Sequence, residues 1–154
     1  MAAQTSIDLN MSAWRAFHKI RITLLPPLIR HLSDECGMSE AEYQVYIGLS
    51  ASENGKMKPS QLAEELGWDL GRLSHQVSRM EARGLLAKQQ CPFDARSCWI
   101  GATRKGKLAF EKALPIQTRE VERLFADALT NEQKRSLIEI SEAIEKHVRE
   151  SVSQ

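Results

Sequence analysis

The segment spanning residues 59–99 admits few folds. Its first part, Ser60-Gln61-Leu62-Ala63-Glu64-Glu65-Leu66, sets Leu62, Ala63 and Leu66 on one helical face, and Gly67 follows where a helix needs a left-handed stop. Trp68 makes the turn. Asp69 is a good N-cap for a second helix, in which Leu70, Leu73, Val77 and Met80 recur at helical spacing and predict one buried stripe. Gly84 closes that helix. Leu85 to Cys91 then reads as a strand, Pro92-Phe93-Asp94-Ala95-Arg96 as a turn, and Ser97 to Ala102 as the returning strand. Two short helices, a tight turn and a hairpin with an arginine at its tip make a winged helix-turn-helix. The fold class expected is mainly α with a small β-hairpin wing.

The face of the second helix opposite its apolar stripe carries Arg72, His75, Ser78, Arg79 and Ala82, with Ser74 and Gln76 on the flanks and no acid among them. Hydrogen-bonding side chains and a small residue are what reading base edges in a major groove requires. Ser60 and Gln61, which open the first helix of the pair, join them as candidate DNA contacts. Arg96 at the hairpin tip suits the minor groove, where negative potential is concentrated, and Asp94 fixes the turn or the arginine. From residue 58 to 107 there are nine Lys and Arg against five Asp and Glu, a net +4, while the rest of the chain has twelve against fifteen, a net −3. Positive charge gathered in the motif fits double-stranded DNA as a partner. The alternative is a winged-helix module that binds protein instead of DNA. Such a module should carry an apolar outer face and lose the tip arginine, whereas Arg72, Ser78, Arg79 and Arg96 are all present.

The chain of 154 residues is long enough for one domain with helical arms and short for a two-domain enzyme. It has no run of about 18 apolar residues and no basic, apolar leader, so no membrane partner and a cytoplasmic location are expected. Ser12 can cap a helix with Trp14, Phe17, Leu24, Leu25, Leu28, Ile29 and Leu32 on an apolar stripe, which Pro26 and Pro27 should kink or interrupt. Ser39 and Glu42 form a capping box for a second helix running to about Ser50, with Met38 stapled to Tyr43. Residues 52–56 form a turn-rich loop. After the wing, Thr103 caps a helix bent near Pro115. Thr130 and Gln133 box the start of a last helix with Leu137, Ile140, Ile144 and Val148 at helical spacing.

The motifs Ser60 to Gly67, Leu73-Ser74 through Arg79 to Leu85, and Asp94-x-Arg96 followed by Thr103-Arg104-Lys105-Gly106-Lys107 resemble those of the MarR (multiple antibiotic resistance regulator) family of bacterial transcription factors. The likeness covers nearly the whole chain. It implies a single domain over 1–154, with 8–35 and 103–152 as dimerisation helices flanking a DNA-binding core at 36–102. It also implies a homodimeric regulator, usually a repressor, released from a pseudo-palindromic operator by a small aromatic effector. Trp14, Phe17, Tyr43 and Tyr46 are the candidate lining of the effector pocket, although aromatics at helical spacing also serve simply as core. His75 stands where the family often has arginine, Lys58 replaces the usual hydroxyl cap, and Pro26-Pro27 interrupts the first helix.

No other chemistry emerges. Cys36, Cys91 and Cys98 have neither paired CxxC spacing nor a His/Cys cluster, so no metal is expected. Cys91 and Cys98 flank the wing turn and could face each other across the hairpin as a redox pair, or simply stand as two reduced small hydrophobes. His18, His31, His75 and His147 are scattered. With no phosphate loop, nucleophile elbow or paired carboxylates, neither catalytic residues nor a cofactor are expected.

Overall fold

The computed structural model describes residues 2–91 and 94–152, with side chains for 8–89 and 98–152. These fall into two compact units, Met1–Gln117 and Thr118–Gln154. Helix α1 (Ala2–Cys36) begins well before Ser12, which lies inside it and is not its cap. It also continues through Pro26 and Pro27 without interruption. Neither proline can donate a hydrogen bond, so the carbonyls of Ile22 and Thr23 lose their helical partners; both residues are exposed, and water can take the freed groups. Gly37, at φ 61°, ends α1 by donating its N–H to the Ser33 carbonyl at 2.8 Å.

Helix α2 (Glu40–Ser50) starts on the expected box, with the Ser39 N–H on Glu42 Oε2 at 2.9 Å and the Glu42 N–H on Ser39 Oγ at 3.2 Å. Strand β1 (Lys56–Met57) follows, then α3 (Pro59–Leu66) and α4 (Leu70–Ala82). Strands β2 (Leu86–Cys91) and β3 (Asp94–Ala102) form the wing, α5 (Arg104–Leu124) runs from it, and a 3₁₀ turn (Ala126–Ala128) precedes α6 (Asn131–Val152). Pro115 lies inside α5, which is unbroken there. Thr103 and Thr130 cap as expected: the Gly106 N–H reaches Thr103 Oγ1 at 3.0 Å, and Gln133 and Thr130 exchange bonds.

The sheet is antiparallel in the order β1-β3-β2, so the hairpin gains a third strand that pairs Lys56 with Gly101 and Met57 with Ile100. On the other side Gln90 faces Cys98, and after a shift Cys91 faces Asp94. Cys91 and Cys98 are therefore not opposite each other, because the regular ladder already sets Cys98 against Gln90, one residue before Cys91.

At eight residues α3 is too short to hold its shape alone, and α4 is not much longer, so packing fixes both. Leu62, Leu73, Val77 and Met80 are all but fully buried with Val45, Leu49, Leu86 and Ile100. Each such side chain contributes about 1.5–3 kcal/mol relative to exposure. Leu70 departs from the expected stripe. It is 58% exposed, because the first turn of α4 projects beyond this core. Among the described residues no helix is long and apolar enough to cross a membrane, and no cluster of His, Cys, Asp or Glu is placed to hold a metal.

Candidate nucleic-acid interface

Both ends of α4 are tied down, which is what a reading helix needs if its outward side chains are to keep register. At its start, Asp69 Oδ1 accepts the Arg72 N–H at 2.8 Å, and Gly67, at φ 62°, turns the chain out of α3. The Gly67 and Trp68 N–H groups close α3 on the Glu64 and Ala63 carbonyls at 3.1 and 2.9 Å. At the far end Arg83 donates from Nη1 to the buried carboxylate of Glu42 and from Nη2 to the Gly37 carbonyl at 3.3 Å. Lys105 Nζ in turn donates to the Arg83 carbonyl at 2.7 Å, and Lys88 Nζ pairs with Glu81 at 2.9 Å. The helix is thereby fastened to the α1–α2 junction, to β2 and to the start of α5.

Arg72, Ser74, His75, Ser78 and Arg79 are all exposed along α4, as are Ser60 and Gln61 on α3. The Gln61 carbonyl oxygen accepts the Lys58 N–H at 3.3 Å, so this side chain helps to cap α3 where Lys58 has no hydroxyl to do so. Gln76 is different. It is buried, because it lies at the 73/76/77/80 spacing and turns inward with Leu73, Val77 and Met80. Leu70 goes the other way and adds an exposed apolar group at the leading end of α4, of the kind that contacts a thymine methyl. Helical spacing alone hides it, since 70 is in phase with 73 and 77. Arg72 lies over the Trp68 ring, 4.0 Å from its centroid. Asp94 and Arg96 fall on the backbone of β3, and their side chains lie outside the described residues.

The four aromatics named for an effector pocket do not come together. Trp14 and Phe17 pair at 5.9 Å on α1 with more than half of each side chain exposed. Tyr43 and Tyr46 instead pack on Phe110, at 5.6 and 5.3 Å between ring centroids. Tyr46 is buried core, and its hydroxyl donates to the Leu85 carbonyl at 3.3 Å. Burial, reinforced by the charge of Glu42 against the opposing influence of Arg83, pushes that hydroxyl up to about 12, so it remains a donor at neutral pH. A separate cleft of about 660 Å³ opens between the end of α1 and the first half of α5. Glu35, Cys36, Arg104, Lys105 and Lys112 line it together with Leu108, Ala109 and Ile116. Sequence reading missed it, because its walls come from elements 70 residues apart whose meeting no local pattern announces.

Residues 49–98 match the MarR family. An HTH-type transcriptional regulator of Bacillus cereus is 31% identical over 110 residues, which is 71% of each chain. Among solved structures, AbsC, a MarR family transcriptional regulator from Streptomyces coelicolor, is 30% identical and superposes with a TM-score of 0.85 over 92% of this chain and 95% of its own. Sco3205, a MarR family regulator of the same organism in complex with DNA, is 28% identical with a TM-score of 0.84, covering 90% of each chain. With a capped, outward-facing α4 and a three-stranded wing in the same arrangement, the chain belongs to the MarR family of DNA-binding transcriptional regulators.

Proposed function

We propose that this regulator is a homodimeric repressor whose two α4 helices enter successive major grooves of a pseudo-palindromic operator, and that a small aromatic acid releases it. The observation that carries the reading is the exposed, acid-free face of α4 from Arg72 to Arg79, held at both ends. Ser60 and Gln61 approach the same groove from α3, and Arg96 with Asp94, on the first residues of β3 rather than in the turn itself, serves the minor groove from the wing. Residues 8–35 and 103–152 supply the dimer contact around the 36–102 reading core. Two rows of exposed apolar side chains support this, Trp14, Phe17 and Ile20 on α1 and Ile140, Ile144 and Val148 on α6. As a repressor, as members of this family usually are, the protein acts by occupying the operator.

Footprinting on DNA upstream of the protein's own gene, combined with sedimentation, tests this reading. Two protected half-sites about 10 base pairs apart and a dimer at micromolar concentration are expected. A lone half-site or a monomer would overturn it. Arg79→Ala should lose about 1–3 kcal/mol of operator affinity and relax preference at one base pair. Arg96→Ala should act more evenly over sequences and reduce the salt slope by about one.

Release by ligand rests on the cleft between α1 and α5, where Arg104, Lys105 and Lys112 offer cations beside the apolar Leu108 and Ile116. Lys105 connects it to the reading helix, because the same Nζ holds the Arg83 carbonyl at the end of α4. A carboxylate that draws Lys105 away loosens that end. Benzoate is the simplest probe, and it should weaken operator binding by the roughly 5- to 150-fold that coupling of this kind delivers. Lys112→Ala should raise the benzoate needed while leaving affinity in its absence unchanged. An unaltered benzoate response in that variant would remove the cleft from the mechanism.

A further inference from the structure

We propose that Trp68 is a specificity-determining positioning residue, whose indole carries the Arg72 guanidinium so that the arginine's N–H edge meets a guanine in the major groove. The proposal rests on the reading of DNA by α4 and adds a residue that reads through another. Trp68 is fixed from two sides: its ring is partly buried against the core, and its N–H closes α3 on the Ala63 carbonyl at 2.9 Å. Arg72 is on the first turn of α4, with its own N–H held by Asp69. Its side chain is exposed, and its guanidinium centre stands over the indole, 4.0 Å from the ring centroid. Among the described residues no carboxylate forms an ion pair with it.

That arrangement leaves the right part of the side chain available. Stacking engages the face of a guanidinium, while its N–H donors lie in the plane and remain directed outward. Two of them match the O6 and N7 acceptors that distinguish guanine in the major groove. A guanidinium already placed has less freedom to lose on docking than one swinging in water. Indole is the strongest of the aromatic platforms, and lysine in place of Arg72 would lack both the planar stack and the fork.

The test is a double-mutant cycle on DNA. Wild-type protein selects its preferred duplex from a randomised library, and affinities for that duplex and for an unrelated one are measured by fluorescence anisotropy. Trp68→Leu should weaken binding to the selected duplex about fivefold and leave the unrelated duplex unchanged. In an Arg72→Ala background, Trp68→Leu should add nothing further. Trp68→Phe, which keeps an aromatic face and fills most of the same core space, should restore most of the loss. The guanine that Arg72→Ala ceases to select should be the one that Trp68→Leu also ceases to select. Equal losses from Trp68→Leu with and without Arg72, or a phenylalanine variant no better than leucine, would overturn the proposal while leaving DNA reading by α4 intact. A wild-type protein that selects no duplex would overturn that underlying reading itself.

Discussion

Gly106→Ala is expected to be the most destabilising glycine-to-alanine change in the protein. Gly106 is buried in the first turn of α5, and a Cβ there would collide with the Leu85 carbonyl oxygen and stand 2.5 Å from the Tyr46 hydroxyl. The obstacle is backbone, and it is already committed. The Leu85 carbonyl accepts the Thr103 N–H at 3.1 Å and the Tyr46 hydroxyl at 3.3 Å, while Thr103 Oγ1 donates to the adjacent Gly84 carbonyl at 2.7 Å, so moving this stretch breaks the link between α2, the entry to β2 and the start of α5 together. Overpacking with loss of buried hydrogen bonds places the effect at about 3 kcal/mol or more. In a chain of this size that lowers the melting temperature by about 6–12 °C. Gly48→Ala is the control. The nearest atoms its Cβ would meet are the side-chain ends of Leu62 and Leu66, at 2.8 and 3.1 Å, and a methyl end yields more cheaply than a hydrogen-bonded backbone carbonyl. A thermal melt in which the two variants fall equally would contradict this account.

The second large effect is expected at Arg83. Glu42 is buried, and of its two oxygens one accepts the Ser39 N–H and the other accepts Arg83. Arg83→Ala leaves a buried carboxylate with half its partners, whereas Glu42→Gln leaves an arginine whose side chain is 53% exposed and can turn to water. Breaking a fully buried pair by removing one partner costs about 3–5 kcal/mol, and the half-exposed Arg83 brings the expected loss to about 2–3 kcal/mol. Glu42→Gln should cost less than half of that. Arg83→Lys should not rescue, because an ammonium cannot fork to Glu42 and the Gly37 carbonyl as the guanidinium does. Denaturant melts of the three variants check the order, and a Glu42→Gln loss larger than that of Arg83→Ala would reverse the argument.

What the sequence made legible was whatever depends on neighbours in the chain. The caps at Ser39, Asp69, Thr103 and Thr130 and the left-handed stops at Gly67 and Gly84 are local hydrogen-bond and backbone chemistry, and they stand where they were expected. What escaped it depends on distant partners. A two-residue strand such as Lys56–Met57 has no pattern of its own and exists only because β3 lies beside it. Leu70 and Gln76 exchange their expected sides because spacing describes a helix, not where its neighbour ends. Tyr46 reads the same as core or as pocket lining until Leu85 and Phe110 are in place around it. The register shift beside Cys91 leaves no trace in residue type.

Helix α6 is capped, amphipathic and 22 residues long, yet it contains no buried residue in the single chain. Most helical stability in proteins comes from packing an apolar face rather than from length or propensity. Its order therefore depends on what covers the stripe of Leu137, Ile140, Ile144 and Val148. When the cover is another copy, the protein's abundance enters its own folding equilibrium, and dilution unfolds what crowding with its own kind would set. Operator occupancy then falls with the square of chain concentration at low abundance. A cell that doubles or halves its supply of this chain moves the switch further than a simple proportional response would carry it.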